Sequence, residues 1–158
     1  MKESYFANEL KIACKEFGYM YIKIPDSFNM QRFSPPKPFD CIIIANGLTF
    51  CIENKIVKDS PSIQIDRIKE HQIVALEQAR LCGAYSYFFI NWRYKKDNIL
   101  CICEPRTIKE LIQVYTNNGV KSIQINKIIE KSNIKPIKKI KTKNGTFWEI
   151  NNFFENRA

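Results

Sequence analysis

Two carboxylates and a lysine fall within residues 40–55 in a pattern suited to gripping a hard cation. The segment reads DCIIIANGLTFCIENK: an aliphatic run, Asn46-Gly47, then an alternating run. Asn-Gly between apolar runs is the strongest short-range signal for a two-residue type I′ hairpin. With those residues as the loop, counting outward sets Ala45 against Leu48, Ile43 against Phe50 and Asp40 against Glu53. Opposed residues on one face of an antiparallel pair lie roughly 4.5–5.5 Å apart at Cβ, where like charges repel. Two acids there are poor structure but a good clamp for a divalent ion, which takes oxygen ligands. Lys55 follows Glu53 by two residues, so the period of a strand puts its ammonium on the same face. A metal site with an adjacent fixed cation is equipment for cleaving phosphodiesters.

The triplet Glu-x-Lys is weak by itself. With 11 Glu and 19 Lys in the chain, about one such triplet is expected by chance. A second copy, Glu9-Leu10-Lys11, reads as ordinary helix surface. Asp40 and Glu53 also admit plain structural readings, as edge residues facing water, or as acids of which Lys55 simply neutralises one. The predicted register is what raises the set above those readings.

The elements around this hairpin follow from periodicity. Residues 3–17 predict a helix, with Phe6, Leu10, Ala13 and Phe17 as its apolar stripe and Gly18 as its stop. Glu3 extends the stripe backwards and is expected to point inward, either frayed into water or close to something positive, with the metal site as one neighbour. Residues 19–25 predict a strand. The segment 27–38, SFNMQRFSPPKP, carries three prolines and predicts a loop leading into Asp40. Its Gln31, Arg32 and Lys37 are candidates for touching a phosphate backbone, or ordinary loop surface. Residues 57–61 predict a second loop, and Ser62 is the expected N-cap of a helix reaching about Arg80. Gln72 interrupts the apolar stripe of Ile65, Ile68, Leu76 and Ala79, so it needs a hydrogen-bond partner in backbone, metal site or bound strand. His71 is the one histidine and reads as surface or substrate-facing. Gly83 ends that helix; residues 84–92 and 99–103 predict strands, and residues 107–115 and 123–131 predict helices. IKKIKTKNGTFWEI near the C-terminus places a second Asn-Gly between runs and predicts a basic hairpin. No internal repeat or long linker is evident. This order predicts an α/β fold with a mixed sheet flanked by helices.

Composition narrows the class. The chain has 158 residues, 45% hydrophobic and 13% aromatic, which are globular values for one ordinary domain. Four of six cysteines (Cys41, Cys51, Cys101, Cys103) sit inside apolar strand-like runs and read as small buried hydrophobes. No CxxC pair or Cys/His cluster argues for structural zinc. Without a secretory h-region or an apolar run near 18 residues, the expectation is a soluble, cytoplasmic protein with no membrane association. The net charge of +9 is uneven: residues 121–143 carry eight lysines and one glutamate. Such a cluster either solubilises or binds a polyanion, and beside a metal site nucleic acid is the favoured partner. The expected division is a core over residues 1–120 and a basic extension, 121–158, packed on or following the same domain.

Inward Glu3, Pro38-Phe39-Asp40, Glu53-Asn54-Lys55, the helix with His71-Gln72 and the aromatic strand together resemble the PD-(D/E)xK nuclease superfamily. Within it, the chain is most similar to RecU-type and archaeal-type Holliday junction resolvases. The resemblance covers about residues 1–105 and includes IKEHQIVALEQARLCGAYSYFFINW; the acidic dyad is Phe-Asp where the pattern has Pro-Asp. It implies a restriction-endonuclease-like core with Asp40 and Glu53 as metal ligands. Lys55 would position or activate the attacking water, Glu3 would be the acid of the first helix, and Gln72 a supporting polar group. The implied activity is a Mg²⁺-dependent endonuclease, Mn²⁺ substituting, that acts on four-way DNA as a homodimer. Arg32, Lys37, His71, Lys138, Lys139, Lys141 and Lys143 are the expected DNA contacts. Alternatives are a same-fold nuclease with a mismatch or restriction-like target, and a non-catalytic nucleic-acid-binding protein.

Overall fold

A computed structural model describes residues 3–26 and 35–157. Arg32, a candidate DNA contact, and Gln31 lie outside the described residues. Helix α1 (Glu3–Glu16) leads into strand β1 (Met20–Lys23), and the hairpin follows as β2 (Cys41–Ala45) and β3 (Leu48–Lys58). Asn46 and Gly47 form its loop with φ of 54° and 76°. Positive φ at both positions is the type I′ requirement that Asn-Gly meets at least cost. The register is as counted, Ala45 with Leu48 and Ile43 with Phe50, and it runs to Cys41 with Ile52.

Strand β3 is buried on both faces from Phe50 to Val57, the hallmark of a central strand. It pairs in parallel with β5 (Tyr85–Tyr94), which pairs antiparallel with β6 (Asp97–Cys103). The result is a five-stranded mixed sheet in the order β1-β2-β3-β5-β6. One core packs α1 on the sheet through Phe6, Leu10, Ile43, Ile52 and Phe89. The other packs α2 (Glu70–Leu81), α3 (Pro105–Asn117) and α4 (Ile125–Ser132) against Phe88 and Ile90 through Ile73, Leu76, Ile108 and Ile128. The buried cysteines serve as apolar filling in both cores, and the cysteines of the described residues are free thiols.

The structure departs from the sequence reading after β3. The strand continues through Val57 to Lys58, where a loop was expected. Ser62 caps no helix. It opens β4 (Ser62–Gln64), which pairs antiparallel with β7 (Ser122–Gln124), where a helix was expected to begin at Ile123. Contrary to the expectation of no internal repeat, the two strands belong to a short one that reads SIQIDRIKE from Ser62 and SIQINKIIE from Ser122. Ile63 faces Ile123, and both are fully buried. Burial of this matched β-branched pair outweighs the capping preference of Ser. A single 3₁₀ turn (Ile65–Arg67) then delays α2, whose N-cap is Lys69.

The basic segment is tied into the same body. Ile137 bridges to Leu100 of β6. The expected basic hairpin is present as β8 (Lys139–Thr142) and β9 (Gly145–Trp148), its loop one position earlier than Asn-Gly suggests, because Gly145 pairs with Thr142. An unanticipated short helix, α5 (Asn151–Glu155), buries Phe153 and Phe154 against Phe50 and Phe89. Glu9, read as helix surface, is instead a junction. It accepts from Lys139 Nζ at 2.8 Å, Trp148 Nε1 at 3.0 Å and Arg93 at 3.4 Å. The β8–β9 hairpin is what covers it. No helix of the described residues is long and apolar enough to cross a membrane.

Candidate metal and nucleic-acid site

Asp40 precedes β2, and its backbone N–H donates to Ile52 O at 3.0 Å; the ladder ends at Cys41 with Ile52, so the counted pairing of Asp40 with Glu53 is not formed. The chain thereby turns the Asp40 side chain along β3, where Oδ2 accepts the Asn54 N–H at 2.8 Å. Its Oδ1 accepts a salt bridge from Lys37 at 2.8 Å. Both oxygens of Asp40 are engaged.

Glu53 lies in the middle of β3 at 2% exposure. Its Oε1 receives Lys55 Nζ at 3.0 Å and Gln72 Nε2 at 2.6 Å. The period of 2 thus puts Lys55 beside Glu53, as counted. Oε2 is buried with no hydrogen-bond partner among the described residues. Burial pushes the Glu53 carboxyl up to about 7, with the Asp40 charge adding to the rise while Lys55 and Lys37 oppose it. An orphaned carboxylate oxygen within electrostatic reach of a second carboxylate, with the hard-oxygen chemistry preferred by divalent ions, fits a metal ion. The fit does not extend to a ready-made cage: no three His, Cys, Asp or Glu of the described residues cluster closely enough to enclose an ion.

Gln72 reaches this carboxylate because α2 starts late. Placed at the third position after Lys69, it accepts the Lys69 N–H at 3.2 Å with its oxygen and donates to Glu53 with its nitrogen. The polar interruption of the apolar stripe is therefore explained by the neighbouring acid. His71, one residue earlier, is exposed.

Glu3 departs from its expected orientation. Its side chain is 46% exposed and pairs with Arg67 at 3.3 Å, a guanidinium anchored by Ile56 O at 2.7 Å. At the first turn of α1 the sheet gives it no cover. It lines one rim of a cleft of about 450 Å³ shared with Asn8, Lys11, Lys23, Asp26, Lys37, Asp40 and Asn54. Lys37 forms a second salt bridge, to Asp26 at 2.7 Å. Burial lowers the Lys37 pKa, but the two carboxylates outweigh it and leave the value raised.

The cleft contains groups that sequence reasoning did not select. Asn54 is 1% exposed, and both side-chain polar atoms lack a partner among the described residues. Its signal was a polar residue at an inward position of a central strand. Asp26 carried none, since it lies 11 residues from Lys37 with no periodicity to link them. Among the C-terminal lysines, Lys138, Lys141 and Lys143 are exposed. Lys139 is held by Glu9 and lies 5.0 Å from the Trp148 ring centre.

No curated protein matches the chain. Among solved structures, it is similar to that of Hjc, a Holliday junction resolvase from the archaeal hyperthermophile Archaeoglobus fulgidus. The two share 16% identity over 66% of this chain and 78% of the other, with a TM-score of 0.49. A family model described as recombination protein U matches residues 20–147, well past the 105 residues of the sequence resemblance, and the chain belongs to the RecU family.

Proposed function

We propose that this chain is a divalent-metal-dependent DNA endonuclease that resolves four-way Holliday junctions as a homodimer, with Mg²⁺ as the working ion and Mn²⁺ as a substitute. The observation that carries the reading is the buried, unpartnered Glu53 Oε2, on a carboxylate that also feels the Asp40 charge, in a member of the RecU family. Glu53 and Asp40 would hold the ion. The chemistry a bound divalent ion supplies is charge neutralisation at the phosphoryl oxygens and activation of water near neutral pH. Gln72 fixes the Glu53 carboxylate by bonding Oε1, which leaves Oε2 as the free lone-pair donor. Lys55, 6% exposed in its side chain, keeps its ammonium against Oε1 and presents a fixed positive charge to the phosphoryl group. Glu3, at the cleft rim and paired with Arg67, would meet substrate or a solvent-borne ion by exchanging that partner. Exposed Lys138, Lys141 and Lys143, with Lys37, His71 and the remaining candidate Arg32, would meet the backbone of branched DNA.

The deciding experiment is cleavage of a labelled four-way junction and its matching linear duplex, with Mg²⁺ or Mn²⁺, by wild type and Asp40→Asn. Paired symmetric nicks confined to the junction, and absent from the variant, are expected. Cleavage of both substrates would leave a nuclease without junction specificity. Intact binding with no cleavage of either would reduce the chain to a binding protein.

A further inference from the structure

We propose that Lys37 is a built-in placeholder for the cation: its ammonium holds Asp40 until a divalent ion arrives, then leaves Asp40 for a substrate phosphate. The inference rests on the metal-site reading above and adds a residue that sets how tightly the ion is held.

The argument starts from the two lysines at the site, which are held very differently. Lys55 grows from the central strand with 6% of its side chain exposed and pairs with the Glu53 carboxylate at 3.0 Å. Lys37 grows from the irregular segment before β2, with 23% of its side chain exposed. Its Nζ lies between Asp40 Oδ1 at 2.8 Å and Asp26 Oδ1 at 2.7 Å. Because Asn54 N–H occupies Asp40 Oδ2, the Oδ1 lone pairs are those the ammonium covers. A divalent ion on the same oxygen would lie within a few ångströms of Nζ, where like charges repel strongly in a partly enclosed cleft. One of the two must move.

Asp26 makes the exchange feasible. At 77% exposure it is a surface carboxylate, and it offers Lys37 a resting partner once Asp40 is taken. The released ammonium remains in the cleft that Lys11 and Lys23 also line, where a phosphate is the natural anion. Before metal binds, the same contact offsets the repulsion between Asp40 and Glu53. Lys37 therefore lowers metal affinity while keeping the empty site intact.

Calorimetric titration of Mn²⁺ into the full chain, without DNA and at low salt, tests this. Lys37→Met and Lys37→Gln are expected to bind Mn²⁺ about three- to tenfold more tightly than wild type, an effect that shrinks with added salt. Lys37→Arg should keep wild-type affinity. Lys23→Met, which removes a charge from the same cleft but not from Asp40, should stay within about twofold. Wild-type binding with no gain in either neutral variant would overturn the placeholder and leave the metal site standing. An equal gain from Lys23→Met would overturn it too, by reducing the effect to general cleft charge. Failure of wild type and all variants to bind Mn²⁺ would remove the metal site, and the placeholder with it.

Discussion

Gln72 Nε2 lies 2.6 Å from Glu53 Oε1, fastening the first turn of α2 to the middle of the central strand. The same side chain accepts the Lys69 N–H, so one amide both starts the helix and aims the carboxylate. Gln72→Ala removes both bonds. It is expected to weaken divalent-metal binding about 10–100-fold and to cost about 1–2 kcal/mol of stability, read by titration calorimetry and chemical denaturation. Gln72→Glu keeps the acceptor for Lys69 but sets a second carboxylate against Glu53, so its metal-free form should unfold more readily at pH 8 than at pH 5. Unchanged metal binding in Gln72→Ala would disconnect α2 from the site.

Glu53 makes the metal-free protein pH-dependent. Its folded value is raised to about 7 from an ordinary 4.5, chiefly by burial and then by Asp40. Between those values the folded state holds a proton that the unfolded chain has released. The stability contributed by protonated Glu53 is therefore full below pH 4.5 and lost as pH rises through 7. Denaturation midpoints without metal should fall across this window, and Glu53→Gln should flatten that fall. Metal binding, which needs the carboxylate, should strengthen with pH over the same range.

The C-terminal lysines divide into two roles. Lys138, Lys141 and Lys143 are exposed, and replacing all three with Ala should weaken binding to junction and duplex alike. The salt dependence of binding should become shallower, by about 0.9 in log–log slope for each phosphate that is no longer neutralised. Weakening confined to branched DNA would contradict a backbone role. Lys139 instead stabilises the fold: it and Trp148 meet at Glu9, whose side chain is 17% exposed. Glu9→Ala should cost about 2–3 kcal/mol by chemical denaturation.

Local chemistry carried what was legible before folding. Asn46-Gly47 fixed the hairpin because its turn needs positive φ twice, and the strand period put Lys55 beside Glu53, whereas the counted pairing of Asp40 with Glu53 is absent from a ladder that ends at Cys41 with Ile52. Gln72 stood out because an amide on an apolar stripe needs a partner. What stayed hidden depends on distant chain. Glu9 meets Lys139 across 130 residues, and nothing near Glu9 marks it as covered. Lys37 meets Asp26 across 11 residues, with no periodicity to link the two. Ser62 gave a misleading capping signal because the strand it joins lies in the other copy of the repeat, sixty residues along.

Phe50 is the first buried residue of the strand that carries Glu53, and its ring packs 4.6 Å from Phe154. During synthesis, then, the ribosome must have made Phe154 before this end of the strand is fully covered. A nascent chain stopped at residue 120 would display the apolar end of β3 and leave Ile63 without Ile123. The segment that holds Asp40 and Glu53 is therefore framed in part by residues made about a hundred positions later.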